Sequence, residues 1–334
     1  MVETISAKDT PAMTPAPRLS VVTPAYNEEQ NLPVLYARLC AVMAGLGDAW
    51  EWIVVDDHSG DGTFSVLEAL AARDARVRGI RLARNSGSHT ALMCGLHHAR
   101  GASAVMLAAD LQDPPEIIVK LVEKWQAGAQ IVWAARQARE GEKATTVGAA
   151  NLYYWIMRHF VGVKEIPAKG ADVFLIDRVV IDALNLFREA NVSVFALLTW
   201  MGFRQERIYY VKQARLHGQS GWSFEKKLKM VVDSVTSFTY LPIRLMSGLG
   251  FLTALAGAFY ALFIIYKALR GEMIPGWSSL MVMMLFLGGI QMVMMGVLGE
   301  YLWRALDEAR RRPRYLIERR TGTASVEMVP STAN

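Results

Sequence analysis

The chain has 334 residues, 36 Lys and Arg against 31 Asp and Glu, and a formal net charge of +5. Apolar residues make up 52% and charged residues 20%, which excludes a disordered or acidic-tail protein. Two cysteines, Cys40 and Cys94, are too few for a disulfide scaffold or a Cys-based zinc module, and both fall in helix-like segments where a buried free thiol is expected.

Residues 1–17 are polar, contain Pro11, Pro15 and Pro17, and lack an apolar stretch, so they read as a disordered tail and not as a signal peptide. From residue 18 to 222 short apolar runs alternate with helical patterns. Strands are expected at Leu19–Thr23, Trp52–Val55, Val77–Leu82, Ala104–Ala108 and Ile131–Ala134. Helices are expected between them, at Asn31–Met43, Thr63–Ala72, Thr90–Ala99 and Pro114–Gln126. This rhythm predicts an α/β domain with a mostly parallel sheet covered on both faces. Ligands of such sheets bind outside the carboxyl ends of the strands. Polar clusters stand at those places: Tyr26-Asn27-Glu28, Asp56-Asp57, Arg84-Asn85 and Asp110-Leu111-Gln112-Asp113.

Asp56 and Asp57 precede the turn His58-Ser59-Gly60-Asp61-Gly62-Thr63. Carboxylates there can accept hydrogen bonds from a base or ribose, and the glycines let backbone approach a ligand. Asp61 or Thr63 can equally cap the following helix. Arg84-Asn85-Ser86-Gly87 has one glycine and is no dinucleotide fingerprint. His97 and His98 are adjacent in a helix, cannot share a face as metal ligands, and read as packing residues. Asp113, Pro114 and Glu116 fit a helix start, as N-cap, first residue and capping-box partner. Asp110 and Gln112 precede that cap, and in an extended chain both side chains turn to one side. Two oxygen donors facing one way suit a Mg²⁺ or Mn²⁺ ion that also binds phosphate oxygens.

Residues 223–244 place Phe224, Leu228, Val231, Val235 and Phe238 at helical spacing beside lysines. This amphipathic helix either lies in a membrane interface or packs on the soluble domain. Two uncharged runs follow, Leu245–Tyr266 and Met273–Gly299, each long enough to cross a bilayer. Neither shows the polar face that a buried hairpin of a soluble protein would present. The expected layout is a span at 245–267, an outer loop at 268–278, a second span at 279–303 and a basic tail at 304–334. Residues 1–224 hold 23 basic and 23 acidic residues, so the whole excess lies in the last third, with 13 basic against 8 acidic. Lys226, Lys227, Lys229 and Arg244 precede the first span, and Arg304, Arg310, Arg311, Arg312 and Arg314 follow the second. The positive-inside rule therefore puts both ends in the cytosol. The charge is a membrane-surface signal, and no nucleic-acid partner is expected.

Taken together, Val22-Thr23-Pro24-Ala25-Tyr26-Asn27-Glu28-Glu29, Val54-Val55-Asp56-Asp57-His58-Ser59, Arg84-Asn85-Ser86-Gly87 and Ala109-Asp110-Leu111-Gln112-Asp113-Pro114-Pro115-Glu116 resemble the signatures of family 2 glycosyltransferases. More narrowly they resemble the polyprenyl-phosphate group, which includes dolichol-phosphate mannose synthases and bacterial undecaprenyl-phosphate glucosyltransferases. The likeness continues through Gly170–Arg178, Gly218-Gln219-Ser220-Gly221-Trp222 and Gly299-Glu300-Tyr301-Leu302, and spans about residues 19–318.

The resemblance implies a type A glycosyltransferase fold and an inverting transfer from a nucleotide sugar, UDP-glucose first, to undecaprenyl phosphate for cell-envelope glycan or lipid modification. It implies a multi-pass protein of the bacterial inner membrane in contact with membrane lipids. Pro24, Tyr26, Glu28 and Asp57, with Asn85 beside them, would hold the nucleotide. Asp110 and Gln112 would hold the divalent ion, Arg136 and Arg139 would contact phosphate, and Asp172 would stand near the sugar. Asp110 and Asp172 are the candidate catalytic residues. Lys226 and Lys227 would guide the lipid phosphate or contact head groups.

One departure is plain: many members have Asp-x-Asp where this chain has Ala108-Ala109-Asp110, so the first carboxylate is missing. A family 2 enzyme with another acceptor is one alternative, though a processive synthase would carry Gln-x-x-Arg-Trp, which is absent. A catalytically silent nucleotide-binding scaffold is the other, motivated by Ala108. Gly248, Gly250 and Gly257 in the first span permit close helix packing and leave homo-oligomerisation open.

Overall fold

In a computed structural model of the chain the described residues are 17–47, 49–136, 171–187, 193–213, 241–271, 276–310 and 312–322. Eight strands form one sheet: β1 Leu19–Ala25, β2 Trp50–Asp56, β3 Val77–Leu82, β4 Ser103–Met106, β5 Ile131–Arg136, β6 Ala171–Asp177, β7 Gln205–Tyr210 and β8 Ile317–Arg320. Among the described residues six helices accompany it: α1 Asn31–Leu46, α2 Thr63–Arg73, α3 Ser88–His97, α4 Ile117–Gln126, α5 Arg178–Leu186 and α6 Val194–Trp200. Two long helices follow, α7 Leu241–Leu269 and α8 Trp277–Ala309.

The strand order is β7-β5-β6-β4-β1-β2-β3-β8. β4, β1, β2 and β3 are parallel to one another, and β7 is parallel to β5. β6 lies antiparallel between β4 and β5, and β8 lies antiparallel on β3. The predicted mostly parallel α/β sheet is therefore present. Every residue of β2 is buried, as a central strand covered on both faces requires.

Alternation divides the core. Val21, Trp52 and Val54 pack with α1, α2 and α4, whereas Val22, Ile53 and Val55 pack with α3, α5 and α6. Helix α3 comes unusually close to β1 at Gly95, where an added Cβ would stand 2.3 Å from Val22 Cγ1. Cys94 beside it is buried, and burial pushes its thiol up to about 12, while Cys40 is half-buried, less than expected. His98 packs through Nδ1 on Cys94 O (2.8 Å), in keeping with a packing role.

Around β4 and α4 the structure departs from the sequence reading. Helix α4 begins at Ile117, not at Pro114, and Glu116 is engaged by Arg38 (2.7 Å) instead of serving a capping box. Asp113 is buried and accepts from the Tyr210 hydroxyl, with Lys212 Nζ at 3.6 Å. The chain after β4 is not extended: Leu111 has φ +59° and Gln112 N–H donates to Asp110 Oδ1 at 3.2 Å. Alternation therefore does not bring Asp110 and Gln112 to one side; a turn governs them.

Strand β8 was not expected at all. Residues 304–334 read as a basic tail, yet α8 continues to Ala309 and Ile317–Arg320 complete the sheet edge. The amphipathic segment at 223–244 lies outside the described residues up to residue 240. Helices α7 and α8, at 29 and 33 residues, are about 44 and 50 Å long. Apolar side chains project outward from both, among them Phe251, Phe259, Met292 and Met295, each about two-thirds exposed or more. Both helices are long and apolar enough to cross a membrane, and none of their described residues is buried, which suggests membrane anchoring.

Candidate active site

The sheet directions gather the polar loops. β1, β2, β3, β4, β5 and β7 all end at one edge, and the antiparallel β6 and β8 begin there. The loops 26–30, 57–62, 83–87 and 107–116 thus stand side by side, as the βαβ rhythm predicts.

These loops are tied together by side chains bonding to backbone. Asn27 N–H donates to Ser59 Oγ (2.9 Å), and Asn27 Oδ1 accepts from Gly60 N–H (2.9 Å). Glu28 N–H donates to Thr63 Oγ1 (2.8 Å), and Glu29 Oε2 accepts from Gly62 N–H (2.8 Å). Asp61 Oδ1 accepts from Thr63 N–H at 3.0 Å in the turn before α2, but the N-cap position is Gly62, so neither Asp61 nor Thr63 is the cap. Asn27, His58 and Leu111 all have φ near +60°, uncommon for non-glycine residues. All three follow strands at this edge. Left-handed residues held by surrounding bonds at a site edge are a recurrent functional feature.

Asp57 is buried at the end of β2, and its two oxygens accept from the Ser86 and Gly87 N–H groups at 2.7 and 2.8 Å. Burial raises its pKa above the usual carboxylate range, against the opposing pull of those two N–H groups. The carboxylate thus shapes loop 83–87. Asp56, fully buried, accepts from Ser59 N–H (2.9 Å) and from Arg81 Nη1 (2.7 Å). Sequence reasoning missed Arg81, whose signal was a charge inside an apolar strand next to the strand bearing Asp56. It also missed Asp113, Tyr210 and Lys212 as one cluster that joins loop 107–116 to the end of β7, where Gln213 N–H donates to Gln112 O at 2.8 Å.

The other expected residues stand as follows. Pro24 is half-buried in β1 opposite Val55, and Tyr26 is half exposed beyond it, with its ring free of the core. Glu28 Oε2 accepts from Asn31 Nδ2 at 2.6 Å. Asn85 is exposed on loop 83–87, and Asp110 and Gln112 are half-buried. Arg136 ends β5 and Asp172 lies in β6 next to it, with the backbone alone described for both. Ala134 pairs with Val173 but Ala135 with Ala171, so Asp172 is the extra residue of a β-bulge. Arg139, Lys226 and Lys227 lie outside the described residues.

For a divalent ion, Asp110 is a hard oxygen donor at the rim of these loops. Among the described residues no cluster of three or more acidic, His or Cys side chains forms a metal cage. An ion such as Mg²⁺ carried on a diphosphate needs only one or two carboxylates, and Asp110 is a donor of that kind.

The last strand before the first apolar helix and the first strand after the second both meet this edge. β7 ends there before α7, and the chain returns from α8 to reach Leu316, whose carbonyl accepts from Ala83 N–H at 2.8 Å. Six residues lie between Ala309 and Leu316, so the end of α8 is at most about 25 Å from Leu316.

Residues 20–184 match the family described as glycosyl transferase family 2. An uncharacterized glycosyltransferase of Synechocystis sp. is 38% identical over 300 residues, covering 90% of this chain and 94% of that protein. A prophage bactoprenol glucosyl transferase homolog of Escherichia coli K12 is 34% identical over 303 residues, covering 90% and 99%. A bactoprenol glucosyl transferase of Shigella phage SfV is 33% identical over 302 residues, covering 90% and 98%. Among solved structures, a glucosyl-3-phosphoglycerate synthase from Mycobacterium tuberculosis in complex with Mn²⁺, UDP-Glc and phosphoglyceric acid is 16% identical with a TM-score of 0.48, covering 65% of this chain and 76% of that one.

Proposed function

The chain belongs to glycosyl transferase family 2, and on that footing we propose that it is a membrane-anchored inverting enzyme that moves a sugar from a nucleotide sugar to a polyprenyl phosphate. Undecaprenyl phosphate is the acceptor we favour and UDP-glucose the first donor to try, in line with the names of the bactoprenol glucosyl transferase relatives. We place it in the bacterial cell membrane with the catalytic domain, residues 18–222, and both termini on the cytosolic side. The observation that carries this reading is the shared edge: the polar loops, the end of β7 before the first apolar helix and the start of β8 after the second stand at one end of the sheet. A lipid phosphate confined to a bilayer surface needs a site placed in that way.

In this reading Tyr26 stacks on the base, Glu28 receives hydrogen bonds from the nucleoside, and the loop held by Asp57 presents Asn85 to the nucleotide. A Mg²⁺ or Mn²⁺ ion bound with Asp110 would supply Lewis-acid stabilisation of the diphosphate charge. The lipid phosphate is already an oxyanion near neutral pH, so no side chain has to remove a proton. Its oxygen forms the new bond to the anomeric carbon as the bond to the diphosphate oxygen breaks, and the electron pair leaves with the nucleoside diphosphate. Attack from the opposite face inverts the centre. Asp172, on its bulge beside Arg136, orients the sugar hydroxyls, and the arginine steers phosphate charge.

The test incubates the purified full-length protein with undecaprenyl phosphate and a panel of radiolabelled nucleotide sugars. An organic-extractable, acid-labile phospholipid product that is lost in Asp110→Asn is the expected result. No such product with any donor refutes the acceptor assignment. Transfer to a different acceptor, or nucleotide binding with no turnover, identifies the two alternative readings.

A further inference from the structure

We propose that Glu318, on the strand that follows the second apolar helix, is a positioning residue for the loop 57–62, so that seating of β8 and binding of the donor nucleotide are linked. The proposal rests on the reading of the strand-end loops as the donor site.

Glu318 is the extra residue of a bulge. Arg81 pairs with Arg319 but Leu82 with Ile317, so Glu318 has no partner of its own across the ladder. Its carboxylate is aimed back over β3, where Oε2 stands 3.2 Å from Arg81 Nε and 3.4 Å from His58 Nδ1. The Arg81 guanidinium is a planar fork whose donors cannot turn independently. Its Nη1 donates to Asp56 Oδ2 (2.7 Å) and its Nη2 to the carbonyl of Ser59 (3.0 Å). An acceptor on Nε therefore fixes the angle at which the other two nitrogens meet the loop. Ser59 passes the constraint on, since its Oγ accepts from Asn27 N–H in the neighbouring loop. His58 Nδ1 also lies 3.1 Å from Leu82 O, which helps hold that residue at φ +60°.

The rest of β8 gives the strand a firm seat without touching this loop. Ala83 N–H donates to Leu316 O, Thr321 N–H to Gly79 O (3.0 Å) and Gly79 N–H to Thr321 Oγ1 (2.9 Å). Glu318 is thus the side chain through which a strand tethered to α8 reaches the loop. Linkage is reciprocal, so a nucleotide that favours the ordered loop must favour seated β8 by the same factor.

The test uses the full-length protein in detergent, with UDP as the calorimetric probe and the donor found above for kinetics. Glu318→Ala should weaken UDP binding about three- to tenfold, the loss expected for one partly exposed charged contact. The donor KM should rise in parallel while kcat stays within about twofold. Glu318→Gln, which keeps an oxygen acceptor for Arg81 Nε, should recover most of the affinity. Thr321→Val, which removes one side-chain bond at the far end of a strand that its backbone bonds keep seated, should leave UDP affinity unchanged. Saturating UDP should slow amide exchange in residues 317–320 of the wild type and not in Glu318→Ala. Wild-type affinity in Glu318→Ala, or an equal loss in Thr321→Val, overturns the proposal. A wild-type protein that binds neither UDP nor any other nucleoside diphosphate overturns the donor-site reading itself, and the proposal falls with it.

Discussion

Replacing Asp57 by Asn separates two roles that the carboxylate could have, holding a loop or touching a ligand. Its oxygens accept from Ser86 and Gly87 N–H at 2.7 and 2.8 Å. An amide of the same shape keeps one of these bonds and sets its NH₂ group against the other N–H. A hydrogen bond to a charged acceptor contributes about 1.5–3 kcal/mol. Burial of the carboxylate offsets part of this, as its raised pKa indicates. The net loss for the loop is therefore about 1–2 kcal/mol, a factor of roughly 5–30 in its opening equilibrium. Amide exchange at Ser86 and Gly87 should accelerate by that factor, and UDP binding should weaken with it.

The pH dependence carries a second sign. Because the native pKa lies above the ordinary 3.8, the folded protein holds this proton more tightly. Its contribution to stability therefore falls as pH rises from 3.8 through the native value, and Asp57→Asn removes that slope. If the Ser86 and Gly87 amides keep full protection in the variant while UDP binding disappears, the carboxylate acts on the ligand directly and the loop-holding argument is wrong.

Four further outcomes are expected. Glu51 is buried and accepts from Ser20 Oγ, Arg100 N–H and Arg78 Nη1, each at 2.7 Å; Glu51→Ala strands these donors and should cost about 3–5 kcal/mol in thermal or urea unfolding. At Gly101 an added Cβ would stand 2.6 Å from Ser20 N and 2.7 Å from Ser103 O, both backbone, so Gly101→Ala should cost about 2–3 kcal/mol. Gly60→Ala, with nothing within 4 Å of the new atom, should stay within about 0.5 kcal/mol. Hydrogen bonds from Arg76 hold Asp74 at about 2, below its ordinary 3.8, so its contribution is complete above pH 3.8 and is lost as pH falls toward 2. The stability gap between wild type and Asp74→Asn should close over that interval in acid titrations followed by circular dichroism.

The central sheet was legible because β2 carries the unbroken apolar run Trp52–Val55 and sits between two helical patterns, a signal that depends on local composition alone. The two apolar helices were legible for the same reason. What escaped the sequence depended on distant partners or on a single dihedral angle. Asp57 stood out as an acid at a strand end, but its bonds to amides 29 and 30 positions away were invisible. Alternation failed at Asp110 and Gln112 because Leu111 turns left-handed, which no residue type there announces. Asp113 fitted a helix cap by spacing, yet Tyr210 and Lys212, from the far end of the domain, claim it. The bulge at Asp172 leaves no trace in composition. β8 is Ile-Glu-Arg-Arg inside a basic run, with none of the β-branched or aromatic pattern that marks a strand.

That last strand also sets an order of manufacture. The edge of β3 is complete only when residue 320 has left the ribosome, 238 residues after Leu82 and after both apolar helices. At about 5–20 residues per second the wait is roughly 10–50 s. During that interval β3 presents an open row of backbone donors and acceptors, a template for pairing with another chain. A fragment cut before α7 never leaves this state. Preparations of the catalytic domain alone should therefore self-associate along β3, and a peptide spanning 312–322 supplied in trans should suppress the association.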